Sequence, residues 1–380
     1  MIFTLPIRFQ YLTETKKIFF QGNNLRPVYL LHLIDHIIKE FSYDEMTFHL
    51  YSLVMKQLYG KQYSVYVDYL VETGFIKKII NYSTLTHQSN QYKLIDNLSD
   101  FLVFHGNDYI LHKKLSKYYS SLDPLKTESP IPIEIRHKLI EDLFSITIDY
   151  EQSISFIDEY VKDNPRRYVK NLSMINKIKD QEIFSEFDPY GRFHTNFTNL
   201  KSKIRNTCLK IDNEPVEYLD IKTSQPFFLS QLLKKDHRVS TNEEVQRFIK
   251  LVEEQDIYLY LLNRYPDKLN DRDHSKTMVL LTLFDRKNKY TKYKSIFKNE
   301  FPFIHDFIEN YENRYGEPLW KSLQRQESQF IFTNIYPSII NQFPGIKLFT
   351  VHDSIYFQKK FHGDIKKIWD QKRIELISFQ

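Results

Sequence analysis

Apolar residues recur along the chain with two periods, and the change between them marks the elements. Positions 27–41, PVYLLHLIDHIIKEF, are apolar on every turn and predict a buried helix. A second helix is predicted over 44–59 and a third over 63–73, with Val67, Leu70 and Val71 on one face and Gly74 ending it. Positions 75–82 and 91–94 then read as two strands joined by the polar loop 83–90. The stretch 116–185 is charged and helical, with turns at Asp123-Pro124 and Ser129 to Pro132 and a break at Pro165-Arg166-Arg167. Beyond it, VEYLD predicts a strand that closes at Asp220, followed by a helix over 227–233. A long amphipathic helix is predicted over 243–264, from Val245, Phe248, Ile249 and Val252 at helical spacing. Helices follow over 272–284 and 318–342, the latter strained or ended near Pro337. Two short strands, 347–351 and 355–358, flank His352-Asp353-Ser354. A last helix over 363–377 buries Ile365, Ile368, Trp369 and Leu376.

The 380 residues suggest two or three domains. With 42% hydrophobic and 27% charged residues the chain has the composition of an ordinary globular protein. The net charge of +5 permits nucleic acid as a partner without requiring it. The 27 Tyr and 30 Phe can stack on bases, although Phe, Tyr, Ile, Asn and Lys also rise together in an A+T-rich genome. Only 8 glycines are present, and neither GxxxxGK[ST] nor GxGxxG occurs, which argues against P-loop and Rossmann chemistry. The single cysteine, Cys208, excludes an intramolecular disulfide and a thiolate-rich zinc site. No long uncharged apolar run predicts a membrane span, and no charged segment leads into an apolar run as in a signal peptide. A reducing, cytoplasmic setting is therefore expected.

Two carboxylates stand out by position. Asp220 ends a strand, and Asp353 sits in a tight hairpin. Aspartates at neighbouring strand ends can clamp hard cations, and a two-metal site stabilises both the attacking and the leaving oxygen of a phosphoryl transfer. The alternatives are a helix cap for Asp220 and a turn residue for Asp353. Arg272 and Lys276, one helical turn apart, share a face that suits phosphate or plain solvation.

The helix, helix and hairpin of the first region, with YLVETGFIKKIINYSTLTHQSNQYKL over 69–94, resemble a winged-helix module; Lys77, Lys78, His87 and Lys93 lie on the wing side. In the last region five segments follow one another in the order seen in family A DNA polymerases and the single-subunit phage-type RNA polymerases, and resemble their palm and fingers. They are GRFHTNFTNLKSKIR (191–205), YLDIKTSQPFFLSQLL (218–233, like motif A), RDHSKTMVLLTLF (272–284, like motif B), LQRQESQFIFTNI (323–335) and LFTVHDSIYF (348–357, like motif C).

The resemblance implies an α+β, largely helical fold: a polymerase-like palm with a small antiparallel sheet and helical fingers, preceded by a winged-helix-like domain. The corresponding divisions are 1–115, a helical connector over 116–185, and 186–380. It implies that Asp220 and Asp353 hold two Mg²⁺ ions, with the Ile221 carbonyl as an added ligand. Arg272 and Lys276 would meet the triphosphate, Phe284 would stack near the templating base or sugar, and Gln225 would contact the nucleotide. Arg192 and Arg205 would touch the primer-template backbone, and His352 would position the primer terminus. The implied activity is nucleotidyl transfer, as template-directed DNA synthesis in phage or mobile-element replication. Its partners would be primer-template, nucleoside triphosphates and an accessory replication protein. The alternatives are an RNA polymerase or primase-like enzyme and a non-catalytic nucleic-acid-binding protein. Departures from the family pattern are Pro226 after Ser-Gln, Phe284 for the usual Tyr, Asp285 after it, and Ser354 after the motif C Asp.

Overall fold

The computed structural model describes residues 2–40, 47–81, 90–95, 101–121, 128–161, 164–284 and 291–378. Residues 83–89 of the expected polar loop, Asp123-Pro124 and Asp285 lie outside them. The fold is α+β, with helices predominating and the strands gathered in small antiparallel sheets. The chain divides into two compact units. The first comprises Met1–Lys126, Ile146–Glu186 and Thr195–Pro215; the second comprises Thr127–Ser145, Phe187–His194 and Val216–Gln380. The stretch expected as a connector is thus shared between them. Among the described residues no helix is long and apolar enough to cross a membrane.

In the first unit the strand Ile2–Pro6 pairs antiparallel with Phe101–His105. The helix Pro27–Glu40 buries Leu30, Leu33, Ile34, Ile37 and Ile38 completely, as its pattern predicted. The single helix expected over 44–59 is replaced by the strand Thr47–His49 and the helix Ser52–Tyr59. Phe48 is buried between two half-buried neighbours, an alternation of period two that a window of helical periodicity overlooks. The helix Tyr63–Glu72 and the strands Ile76–Ile80 and Gln91–Leu94 follow. In the resulting sheet Gln91–Leu94 lies between Thr47–His49 and Ile76–Ile80. Later in the same unit Ile146–Ile148 pairs with Leu209–Ile211, and a hairpin turns at Asp212-Asn213. Both turn residues have positive φ, as a two-residue hairpin of this twist requires. Pro165, expected as a break, opens the helix Pro165–Lys179 at its first turn, with Asn164 as the cap.

In the second unit the strand Glu214–Asp220, from Val216 onward, pairs with Ser354–Gln358, which also pairs with Phe349–Val351. The helix after Asp220 runs over Ser224–Lys235, longer than expected at both ends. The long helix expected over 243–264 is two, Glu243–Glu253 and Ile257–Arg264. Asp256 divides them, because its carboxylate accepts from the N–H groups of Tyr258 and Leu259 and so caps a new helix. The helix Arg272–Phe284 has the expected ends. Leu319–Gln329 passes into a π-helical stretch, Phe330–Ile335, and on into Tyr336–Gln342. Pro337 has no N–H to give, and the wide turn that precedes it lets the chain continue where a regular helix would clash. The last helix, His362–Ser378, buries Ile365, Ile368 and Trp369, whereas Leu376 is only half-buried.

Candidate active site

Strand register brings the two aspartates together. Asp220 lies directly opposite Ser354, the residue that follows Asp353. Cross-strand partners have Cα atoms about 5 Å apart, so the two aspartates occupy one end of one strand pair. The connection between Phe349–Val351 and Ser354–Gln358 consists of His352 and Asp353 alone. Both favoured two-residue hairpin turns need positive φ at the first central position, and His352 takes it, with φ of 54°. A backbone conformation ordinarily given to glycine is thus imposed on a histidine beside the carboxylate.

Asp220 is exposed and Asp353 half-buried. The Asp353 carboxyl is pushed up to about 7. Burial is the largest cause, the Glu327 carboxylate comes next, and Asp220 adds to it, while its own backbone N–H and the Arg192 guanidinium act in the opposite sense. Asp353 is therefore influenced by two other carboxylates and one arginine.

That arginine is already engaged. Arg192 Nη2 donates to Glu327 Oε1 at 2.7 Å. Ser224 Oγ donates to Glu327 Oε2, also at 2.7 Å, and Gln225 Nε2 donates to the same oxygen. Glu327, which is 2% exposed, thus gathers three side chains from two other segments. In the sequence Glu327 stands only within LQRQESQFIFTNI, the segment before the one like motif C, and no role is assigned to it there.

Local backbone explains how Arg192 arrives there. Asp188 accepts from the N–H groups of Tyr190 and Arg192 and closes the turn Asp188-Pro189-Tyr190-Gly191. Burial works to raise the Asp188 carboxyl, but these bonds and His194 outweigh it and hold it below its ordinary value. Gly191 has φ of +91°, and a Cβ there would stand 3.0 Å from Pro130 Cγ and 3.1 Å from Ser328 Cβ. Only glycine lets the turn press against the helix that carries Glu327. His194, bonded to Asp188 at 3.2 Å, presents its ring edge-on to His352 at 6.3 Å.

The basic pair lies on the helix Arg272–Phe284. Arg272 Nε donates to Asp256 at 2.8 Å, and its guanidinium lies over the Tyr258 ring, 5.1 Å from the centroid. Burial raises the Tyr258 hydroxyl above its ordinary range; Arg272 opposes this, and Asp256 and Asp353 add to it. The Tyr258 hydroxyl is therefore influenced by both the Arg272 charge and the Asp353 carboxylate. Lys276 is exposed and Phe284 half-buried along the same helix. Ile221 is buried next to Asp220. Arg205 belongs to the first unit, where its guanidinium donates to the carbonyls of Phe197 and Leu200 at 3.1 and 3.0 Å.

Asp220, Asp353, Gln225, Arg192 and His352 thus form one neighbourhood with Glu327, and Arg272 borders it. Hard oxygen donors and an excess of negative charge suit a divalent cation. Among the described residues no group of three or more His, Cys, Asp or Glu side chains is placed to hold a metal ion, so a cation here would have at most two such side chains and would need backbone carbonyl or ligand oxygens as well. The sequence matches no protein-family model, and no curated protein shows significant similarity to it.

Proposed function

We propose that the second unit is a magnesium-dependent nucleotidyltransferase that extends a nucleic acid primer, most simply as a template-directed DNA polymerase of the family A type. One observation carries this reading: in the Asp220 to Ser354 register the two aspartates lie at one end of one strand pair, where Glu327 and Asp220 both raise the Asp353 carboxyl. Asp220 and Asp353, with the Ile221 carbonyl, are the groups that would hold Mg²⁺. The cations supply charge neutralisation and activation of the primer hydroxyl for in-line attack on the α-phosphate. Arg272 and Lys276, on one face of their helix, would draw in the triphosphate and neutralise the departing pyrophosphate. Arg272 must leave Asp256 to do so, and exchange of a partly exposed ion pair for a triphosphate is favourable.

The first unit supports a winged-helix-like module. Its elements run helix, strand, helix, helix, strand, strand, and the last strand lies between the other two. The exposed positions of the helix Tyr63–Glu72 are Ser64, Asp68, Val71 and Glu72. That face favours a protein partner, such as an accessory replication protein, over a phosphate backbone.

The test is purified protein with Mg²⁺, a primed template, and labelled deoxynucleoside or ribonucleoside triphosphates. Extension with deoxynucleotides that is lost in Asp353→Asn supports the reading. Extension with ribonucleotides alone would assign the RNA-synthesising alternative. Template binding with no incorporation under any condition would leave a nucleic-acid-binding protein.

A further inference from the structure

We infer that Glu327 is a positioning residue of this site, holding Arg192 and Gln225 ready for a sugar hydroxyl of the bound nucleotide or primer end. The inference rests on the nucleotidyltransferase reading and deepens it.

The geometry is that of a clamp. One carboxylate oxygen takes Arg192, and the other takes Ser224 and Gln225. Ser224 and Gln225 are the first two residues of the helix Ser224–Lys235, only a few positions after Asp220. The residue that would cap this helix, Thr223, has φ of 54° and makes no side-chain cap bond. The Glu327 carboxylate takes over part of that work, since negative charge at a helix start is stabilising. On the other side, the Gly191 turn delivers Arg192 to the carboxylate.

The clamp is incompletely satisfied. Gln225 is 8% exposed, and its Oε1 is buried with no hydrogen-bond partner among the described residues. Arg192 Nε is buried and lacks one too. A buried polar atom left unpaired is costly, so such atoms in a polar cluster point to a group that completes them. One is a donor and the other an acceptor. A hydroxyl can accept from Arg192 and donate to Gln225, and a sugar hydroxyl is the group of that kind that a nucleotide or primer end carries.

The experiment compares wild type, Glu327→Gln, Arg192→Gln and the double variant. It measures the dissociation constant of a nucleoside triphosphate on the protein-primer-template complex with Ca²⁺, and then kcat and KM with Mg²⁺. Glutamine keeps the shape of Glu327 and one acceptor oxygen but removes the charge that holds Arg192. Each single variant should weaken triphosphate binding and raise KM about tenfold or more, with a smaller change in kcat, and the double variant should be no worse than either. With 2′,3′-dideoxynucleoside triphosphates on a primer that ends in a dideoxynucleotide, wild type and Glu327→Gln should bind within about twofold of one another, because the hydroxyls are gone from both ligand and primer end. A residue that only held the fold would lower the melting temperature and weaken both ligands alike. If wild type incorporates nucleotide and Glu327→Gln matches it within twofold in KM, or if the double variant is additive, the inference fails while the polymerase reading stands. If wild type neither binds triphosphate nor incorporates it, both fail.

Discussion

Gly191→Ala tests the backbone reasoning on which the site depends, without reference to any activity. At φ of +91° an alanine is strained, which costs roughly 1–2 kcal/mol. Its methyl group would also stand 3.0 Å from Pro130 Cγ and 3.1 Å from Ser328 Cβ, tighter than most Cβ contacts, so these neighbours must give way by a few tenths of an ångström. Relieving that overlap means shifting backbone or helix, at about 1–3 kcal/mol. Together these predict a loss of about 2–5 kcal/mol in the second unit, or a fall of roughly 5–15 °C in melting temperature for a domain of this size. Gly345 is the internal control. It has φ of +93° but nothing within 4 Å of a built Cβ, so Gly345→Ala should carry only the conformational part, about 1–2 kcal/mol. Both tryptophans of the chain, Trp320 and Trp369, lie in the second unit, so urea titration followed by tryptophan fluorescence reports on that unit. If Gly191→Ala is no more destabilising than Gly345→Ala, the close approach to Ser328 is not what requires the glycine, and the account of how Arg192 reaches Glu327 fails.

Four further outcomes are expected. Asp353→Asn should reduce incorporation by several orders of magnitude while leaving template binding intact, with Ser354→Ala much milder, as measured by primer extension and gel shift. Asp256→Asn should keep the helix cap, change stability by no more than about 1 kcal/mol because the Arg272 pair is partly exposed, and tighten triphosphate binding by releasing Arg272. Asp188 is held below its ordinary value, so it contributes stability that is present above the unfolded pKa of about 4 and is lost as pH falls through the lower folded value. Asp188→Asn should accordingly be less stable than wild type at pH 7 by about 1 kcal/mol, with the gap closing in urea titrations near pH 3. Replacing Asp68 and Glu72 by Lys should leave the first unit folded and abolish capture of an accessory protein without weakening DNA binding, as read by pull-down and gel shift.

What could be read from the sequence was whatever a few neighbouring residues determine. The helix Pro27–Glu40 and the strand pair Ile76–Ile80 and Gln91–Leu94 follow from local periodicity. Asp220 and Asp353 were visible because each stands at the end of an apolar run, where a short strand must stop. The break at Asp256 had a local signal, an acid directly before IYLYLL, but the apolar spacing continues across it and hides the cap. Glu327 had no local signal. It lies mid-helix among polar residues, and its partners Arg192 and Ser224 are 135 and 103 positions away in the chain. Its burial depends on a glycine turn whose close approach to Ser328 no periodicity encodes. The consequence reaches the carboxylate pair itself. Among its neighbouring charges Glu327 raises Asp353 most, ahead of Asp220, so the residue that sequence pattern could not identify acts directly on the carboxylate pair.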